Sequence, residues 1–179
     1  MNGSGRFGAS LLISAVLLAT PVLAQDRQKY YFETPPGIAK YTQQHIIDVG
    51  DVPGHQIRAY ELTSKYTAEA PGPVYDGIKV VESWTRATSD YTNGSGHASG
   101  YVVSLLANGD KIFAVLELVS QTKSGADGSR KTIFTTVTRL VGGTGKFKAI
   151  RGTLIGSGAT DFKTGTSGTV TEGEYWIEK

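Results

Sequence analysis

Six side chains within strand-like stretches carry most of the chemistry this sequence offers: Glu82, Trp84, Arg86, Phe113, Glu117 and Arg139. In Val80-Val-Glu-Ser-Trp-Thr-Arg86, alternation along an extended chain puts Val80, Glu82, Trp84 and Arg86 on one face and Val81, Ser83, Thr85 and Ala87 on the other. In Lys111-Ile-Phe-Ala-Val-Leu-Glu-Leu118, Phe113, Val115 and Glu117 share a face, while Ile112, Ala114, Leu116 and Leu118 form a wholly apolar one. If Trp84, Phe113 and Val115 point inward, Glu82, Arg86 and Glu117 come with them, and Arg139 joins from the next strand. Buried charges must pair or shift their pKa. This face predicts a pocket with an apolar wall, a carboxylate of raised pKa as proton donor or anchor, and Arg86 as its counter-charge. The competing reading puts the same charges outside, paired on the surface and contributing little. With Phe113 inside, the Ile112, Leu116 and Leu118 face points outward and needs cover, which predicts a homo-oligomer.

Other constellations are weaker. His45, His55 and His97 are the only histidines, none paired at metal-ligand spacing, and the chain has no cysteine to supply a thiolate, so no metal site is expected. Gly142-Gly-Thr-Gly145-Lys146 looks superficially like a phosphate loop. Such a loop needs a further glycine where Leu140 stands, Ser or Thr where Phe147 stands, and a helix after it. No Gly-x-Ser-x-Gly elbow is present, and no motif implies a cofactor or names a catalytic residue.

The elements that must position these residues read as strands. After Ala39 the apolar residues recur every second position, and Gly, Asn, Asp and Pro clusters interrupt them. The pattern predicts eight strands: 41–49, 56–66, 79–90, 96–106, 111–121, 131–140, 151–160 and 168–177. Asn93-Gly94, Asn108-Gly109 and Asp127-Gly128 supply the positive φ angles of tight hairpins, with further turns at Asp51-Val-Pro-Gly54, Gly142–Gly145 and Lys163-Thr-Gly165. The central strands should therefore form a meander. Closure into an eight-stranded antiparallel barrel removes the exposed edges, with a two-sheet sandwich as the alternative. Residues 25–39, broken by Pro35-Pro36-Gly37, read as an arm draped over the domain at 40–179.

Residues 1–24 carry Arg6, an apolar run from Leu11 to Ala19, Pro21 and the small-residue ending Val22-Leu-Ala24. That layout predicts a cleaved secretory signal and an exported product, periplasmic or extracellular, because the apolar run is well short of the ~20 residues that span a hydrocarbon core. The remaining chain suffices for one domain. With 18 basic and 16 acidic residues, a net charge of +2 and no Lys/Arg run, nothing points to nucleic acid as a partner.

The segment Leu140-Val-Gly-Gly-Thr-Gly-Lys-Phe-Lys-Ala-Ile-Arg-Gly-Thr153 resembles the corresponding turn of allene oxide cyclases and plant dirigent proteins. The chain also looks like exported bacterial proteins of unassigned role that end similarly, here Glu174-Tyr175-Trp176. The resemblance implies an eight-stranded barrel, often trimeric, with Phe147 plugging one end of the core. It carries over no catalytic residue. The barrel reading leaves two functions open, binding of a small apolar ligand or scaffolding, and a structural surface protein with a filled barrel; the resemblance adds a third, cyclase or isomerase action on a lipid-like or polyketide-like substrate.

Overall fold

The computed structural model describes residues 26–161 and 166–179. The expected signal at 1–24 and the turn at 163–165 lie outside the described residues. The described chain is all-β, with strands β1 (Gln28–Thr34), β2 (Ala39–Asp48), β3 (His55–Lys65), β4 (Val74–Tyr75), β5 (Ile78–Thr92), β6 (Ser95–Leu106), β7 (Lys111–Ser124), β8 (Arg130–Gly143), β9 (Ile150–Asp161) and β10 (Thr166–Ile177). Every pairing is antiparallel, in the order β1-β10-β9-β8-β7-β6-β5-β3-β2, with β4 beside β5.

Local chemistry sets these boundaries. Asn93 at φ 53° and Gly94 at φ 85° supply the two left-handed residues of a primed turn, so β5 runs straight back as β6. Asp76 and Gly77, at φ 46° and 78°, do the same between β4 and β5, a hairpin the sequence reading passed over. The segment expected as an arm is instead strand β1. Tyr30 and Phe32 alternate inward from Lys29, Tyr31 and Glu33, and Pro35-Pro36-Gly37 only terminates the strand.

The sheet is strongly curled. Laid flat, its nine-strand path would hold β1 and β2 about 38 Å apart at ~4.8 Å per strand. Thr34 and Ala39, at the facing ends of β1 and β2, are joined by only five Cα steps, a reach of at most ~19 Å. The rings of Phe32 on β1 and Tyr66, just past β3, meet edge-on at 6.0 Å, which bridges the two ends of the order. The hydrogen-bond ladder stops at β1 and β2, so the expected closed barrel is seen only as a curled single sheet with an open seam.

The inward face follows from burial and register. Val80, Ala87, Ser89, Ala98, Leu106, Ile112, Ala114 and Leu140 are all buried and share it. At one end this face packs a core around Phe147, Ile150, Leu106, Ile112 and Val80, joined by Tyr30, Tyr75 and Tyr175. Tyr75 is the hub of the tyrosines, with ring centroids 5.1 Å from Tyr30 and 5.2 Å from Tyr175. Burial drives its phenol far above the ordinary value.

The glycine-rich turn builds the plug of this core. Thr144 accepts the Lys111 amide on Oγ1 at 2.8 Å and donates its own amide to the Lys111 carbonyl at 2.8 Å. Gly145, at φ 52°, then turns the chain into the 3-10 segment Gly145–Phe147, which delivers Phe147 at 0% exposure. Lys146 reaches across to Asp76 Oδ2 at 2.8 Å and fixes the β4–β5 turn against the plug.

Two expectations about faces are overturned. A β-bulge between Val80 and Glu82 breaks the alternation of β5, so Val80 points inward while Glu82, Trp84 and Arg86 point outward. On β7 the Ile112, Leu116, Leu118 face is the inner one, and Phe113, Val115 and Glu117 lie outside. The apolar face offered for a subunit contact is therefore inside the curl.

Candidate functional site

Beyond the plug, the inner wall changes character. One inward row runs from Arg58 on β3 through Ser89, Ala98, Leu118 and Thr136 to Gly156 on β9. The row nearer the plug holds Tyr60, Ala87, Gly100, Leu116, Thr138 and Leu154. Ala98, Ser89 and Ala87 in the middle of these rows are covered, at 1%, 3% and 8% exposure, whereas Leu116, Leu118, Thr136 and Thr138 remain half-buried, within reach of water. The interior is a cup with an aromatic and aliphatic floor. It opens past β2, whose 10 residues are all exposed, inward-facing Tyr41 and Ile46 among them.

The β3–β5 side of the cup carries its polar groups. Arg58 donates from Nη2 to Gln56 Oε1 at 2.7 Å, and Gln56 Nε2 donates to Asp48 Oδ1 at 2.8 Å. Arg58 Nε is buried without a hydrogen-bond partner among the described residues, and so is the hydroxyl of Ser89, a residue 3% exposed. The two residues are direct cross-strand partners. No carboxylate among the described residues lies within ion-pair distance of Arg58. Burial raises the pKa values of Tyr60 and Tyr91, with the Arg58 charge opposing it, so both phenols remain protonated donors at neutral pH. The Tyr41 ring meets Tyr60 edge-on at 5.5 Å.

The six residues singled out from sequence lie together, but on the outer surface. Trp84, Val103 and Phe113 form one outward row, half-buried against each other. Arg86, Tyr101, Val115 and Arg139 form the next. Arg86, Val115 and Glu117 also line an outer groove of about 680 Å³ with Glu61, Tyr101 and His45. Its charges are already matched: Arg86 Nη2 sits 2.7 Å from Glu61 Oε2, and His97 Nε2 sits 2.7 Å from Glu117 Oε2. Glu61 titrates below the ordinary carboxylate range, first because Thr42 donates to it and then because Arg86 lies beside it. Glu82 lies 3.7 Å from Lys65. Arg86, Glu82 and Glu117, expected in an interior Arg-carboxylate network, thus pair on the outer face, and Arg139 lies on that face as well.

Among solved structures, the chain is similar to a dirigent protein. That structure, a pterocarpan synthase dirigent protein, is 17% identical, aligns over 86% of this chain and 95% of its own, and gives a TM-score of 0.39. No family model matches the sequence, and no curated protein does. At this identity and score the likeness assigns no residue a role, and the site stands on its own geometry.

Alternation did not single out Arg58, Ser89, Tyr60 or Tyr91. In Gln56-Ile-Arg-Ala-Tyr60 the apolar Ile57 and Ala59 face outward, exposed, while the polar residues between them face inward. The small residue opposite, Gly100, is explained by the sheet itself, since a Cβ there would run into the Arg86 carbonyl and the Ala87 backbone.

Proposed function

We propose that the mature chain is an exported binding protein that takes a small, largely apolar molecule into the cup formed by its curled sheet. One observation carries this reading: past the Phe147 plug, the inward leucines Leu116 and Leu118 are only half-covered by the protein's own side chains. A fold that merely filled its interior would bury them as it buries Ile112 and Leu140, at 2% and 4% exposure. A concave apolar wall with a few polar groups at its rim is the usual composition of a small-molecule site. The N-terminal 24 residues supply the export signal in this reading, and the seam beside β2 supplies the entrance.

Adjacent residues on β7 give a direct test. Leu118 points into the cup and Val119, at 62% exposure, points out. The neutral fluorophore N-phenyl-1-naphthylamine should brighten on binding the native protein. Leu118→Trp should abolish that signal by filling the cup, while Val119→Trp leaves it intact. Binding lost only in Val119→Trp would move the site to the outer face, and no binding by any folded form would remove the reading.

A further inference from the structure

We propose that the outer face of the sheet carries a second binding site, a trough across β2, β3, β5, β6 and β7 that takes a neutral oligosaccharide with one sugar ring stacked on Tyr101. It lies on the opposite side of the sheet from the cup and does not depend on it. The register lays the trough out row by row. Its floor is the outward row His45, Ala59, Thr88, Ser99 and Glu117, whose three central side chains are short. Along one side stands the row Glu61, Arg86 and Tyr101, and along the other the register sets Asp90 beside His97. Four spacings between five strands make the trough about 19 Å long at ~4.8 Å each. Its volume of about 680 Å³ is that of a small-molecule site, and its open, elongated form suits a chain.

The neutral, hydroxyl-rich character follows from the charges. Arg86 Nη2 lies 2.7 Å from Glu61 Oε2, and His97 Nε2 lies 2.7 Å from Glu117 Oε2, so each charge is met by its neighbour in the trough. A polyanion meets Glu61 and Glu117 there and a polycation meets Arg86, so neither gains from the field as a whole. Each pair nevertheless sets a donor beside an acceptor. A guanidinium has five N–H donors, more than the Glu61 carboxylate accepts while it also takes a bond from Thr42. A sugar hydroxyl both donates and accepts, so two adjacent hydroxyls of one ring match such a pair, one accepting from Arg86 and the next donating to Glu61.

Tyr101 supplies the platform. At 67% it is the most exposed large hydrophobic side chain among the described residues, although it sits mid-strand on β6 in the middle of the sheet. Its ring is a flat apolar surface with a polar tip, directly across the ladder from Arg86. The C–H face of a sugar ring packs on such a surface while its hydroxyls reach the neighbouring charged groups. Two other occupants fit less well. An extended peptide adds to a sheet at its edge, where main-chain groups are free, whereas the trough crosses β3, β5 and β6 in mid-sheet, where the ladder uses them. An apolar molecule finds no continuous apolar floor, because Thr88, Ser99 and Glu117 follow Ala59 along the row.

The test is isothermal titration calorimetry of the purified protein at pH 7 with cellohexaose, xylohexaose and maltohexaose, and with hexagalacturonate as the charged comparison. At least one of the neutral sugars should bind saturably and more tightly than hexagalacturonate. For that sugar Tyr101→Ala should weaken binding about tenfold or more, as truncating an anchoring aromatic does, and Arg86→Gln by a smaller factor. Both side chains are exposed, so both variants should melt close to the native protein. Leu118→Trp, which fills the cup, should bind the sugar as the native protein does. No saturable binding of any of the neutral sugars, tighter binding of hexagalacturonate, or native affinity in the folded Tyr101 and Arg86 variants overturns the assignment and leaves the cup reading, which the fluorophore tests, untouched. Sugar binding lost in folded Leu118→Trp overturns it as well, because the sugar would then sit inside the sheet.

Discussion

Ile112 and Phe113 are neighbours on β7, and comparing their truncations tests the inside-outside assignment on which everything above depends. Ile112 is 2% exposed and packs in the core with Val80, Leu106 and Phe147, whereas Phe113 lies on the outer face, half-buried beside Val103. Truncating a fully buried isoleucine to alanine costs about 2–5 kcal/mol, because transfer and cavity terms add. A fully buried Phe side chain is worth ~1.5–3 kcal/mol relative to an exposed one, so a half-covered Phe113 should cost roughly 1 kcal/mol on truncation. For a domain of this size each kcal/mol moves the melting temperature by about 2–4 °C. Ile112→Ala should therefore melt roughly 4–20 °C below the native protein and Phe113→Ala about 2–4 °C below it. Thermal denaturation followed by circular dichroism, repeated in urea to check that the slope is unchanged, measures both. The larger side chain gives the smaller loss only if the faces are as described. A loss in Phe113→Ala equal to or greater than that in Ile112→Ala would refute the assignment, and the cup with it.

Three further outcomes follow from the same structure. Arg86→Ala should shift the melting temperature by no more than about 2–3 °C, since Arg86 is 57% exposed and pairs with Glu61 in solvent; a drop of ten degrees or more would restore the buried network. Gly145→Ala should destabilise by roughly 1–2 kcal/mol, because φ is 52° there and a Cβ would run into the Asp110 carboxylate; unchanged urea midpoints would show that the plug turn relaxes at no cost. His55 ties the β2–β3 turn to β5, with Nδ1 2.7 Å from Asp51 and Nε2 2.7 Å from Asp90, and Asp90 first and then Asp51 raise its pKa. Its contribution is full below the unfolded value of about 6.5 and fades as pH rises through the higher folded value. The melting-temperature gap between native protein and His55→Asn should thus be larger at pH 5.5 than at pH 9, and a gap independent of pH would show that the imidazolium bridge does not form.

Much of the ladder is legible in the sequence, because period-2 alternation and left-handed turn residues are local signals. Asn93-Gly94 ends β5 and starts β6 within a residue or two of the expected positions, and the strand expected at 111–121 is β7, Lys111–Ser124. Which side of each strand faces in is not local. A single bulge at Val80–Glu82 reverses the alternation of β5 downstream, and nothing in Val80-Val-Glu announces it. The usual rule of apolar inside also fails past the plug, where Ser83, Thr85, Ser89, Ser120 and Thr132 face in while Trp84, Val103 and Phe113 face out. That inversion drew attention to Glu82, Arg86 and Glu117, which lie on the outer face. β1 was hidden by Pro35-Pro36-Gly37, which ends a strand as readily as it signals irregular chain.

Methyl resonances locate a bound molecule without reference to any variant. In protein labelled at leucine, valine and isoleucine methyls and titrated with N-phenyl-1-naphthylamine, Leu116 and Leu118 on β7 line the cup, and Val119 on β7 and Ile133 on β8, at 62% and 48% exposure, report the outer face. The Leu116 and Leu118 signals should shift together and saturably while those of Val119 and Ile133 stay in place. Shifts confined to Val119 and Ile133, or no saturable shift at any of the four, would contradict a binding cup inside the sheet.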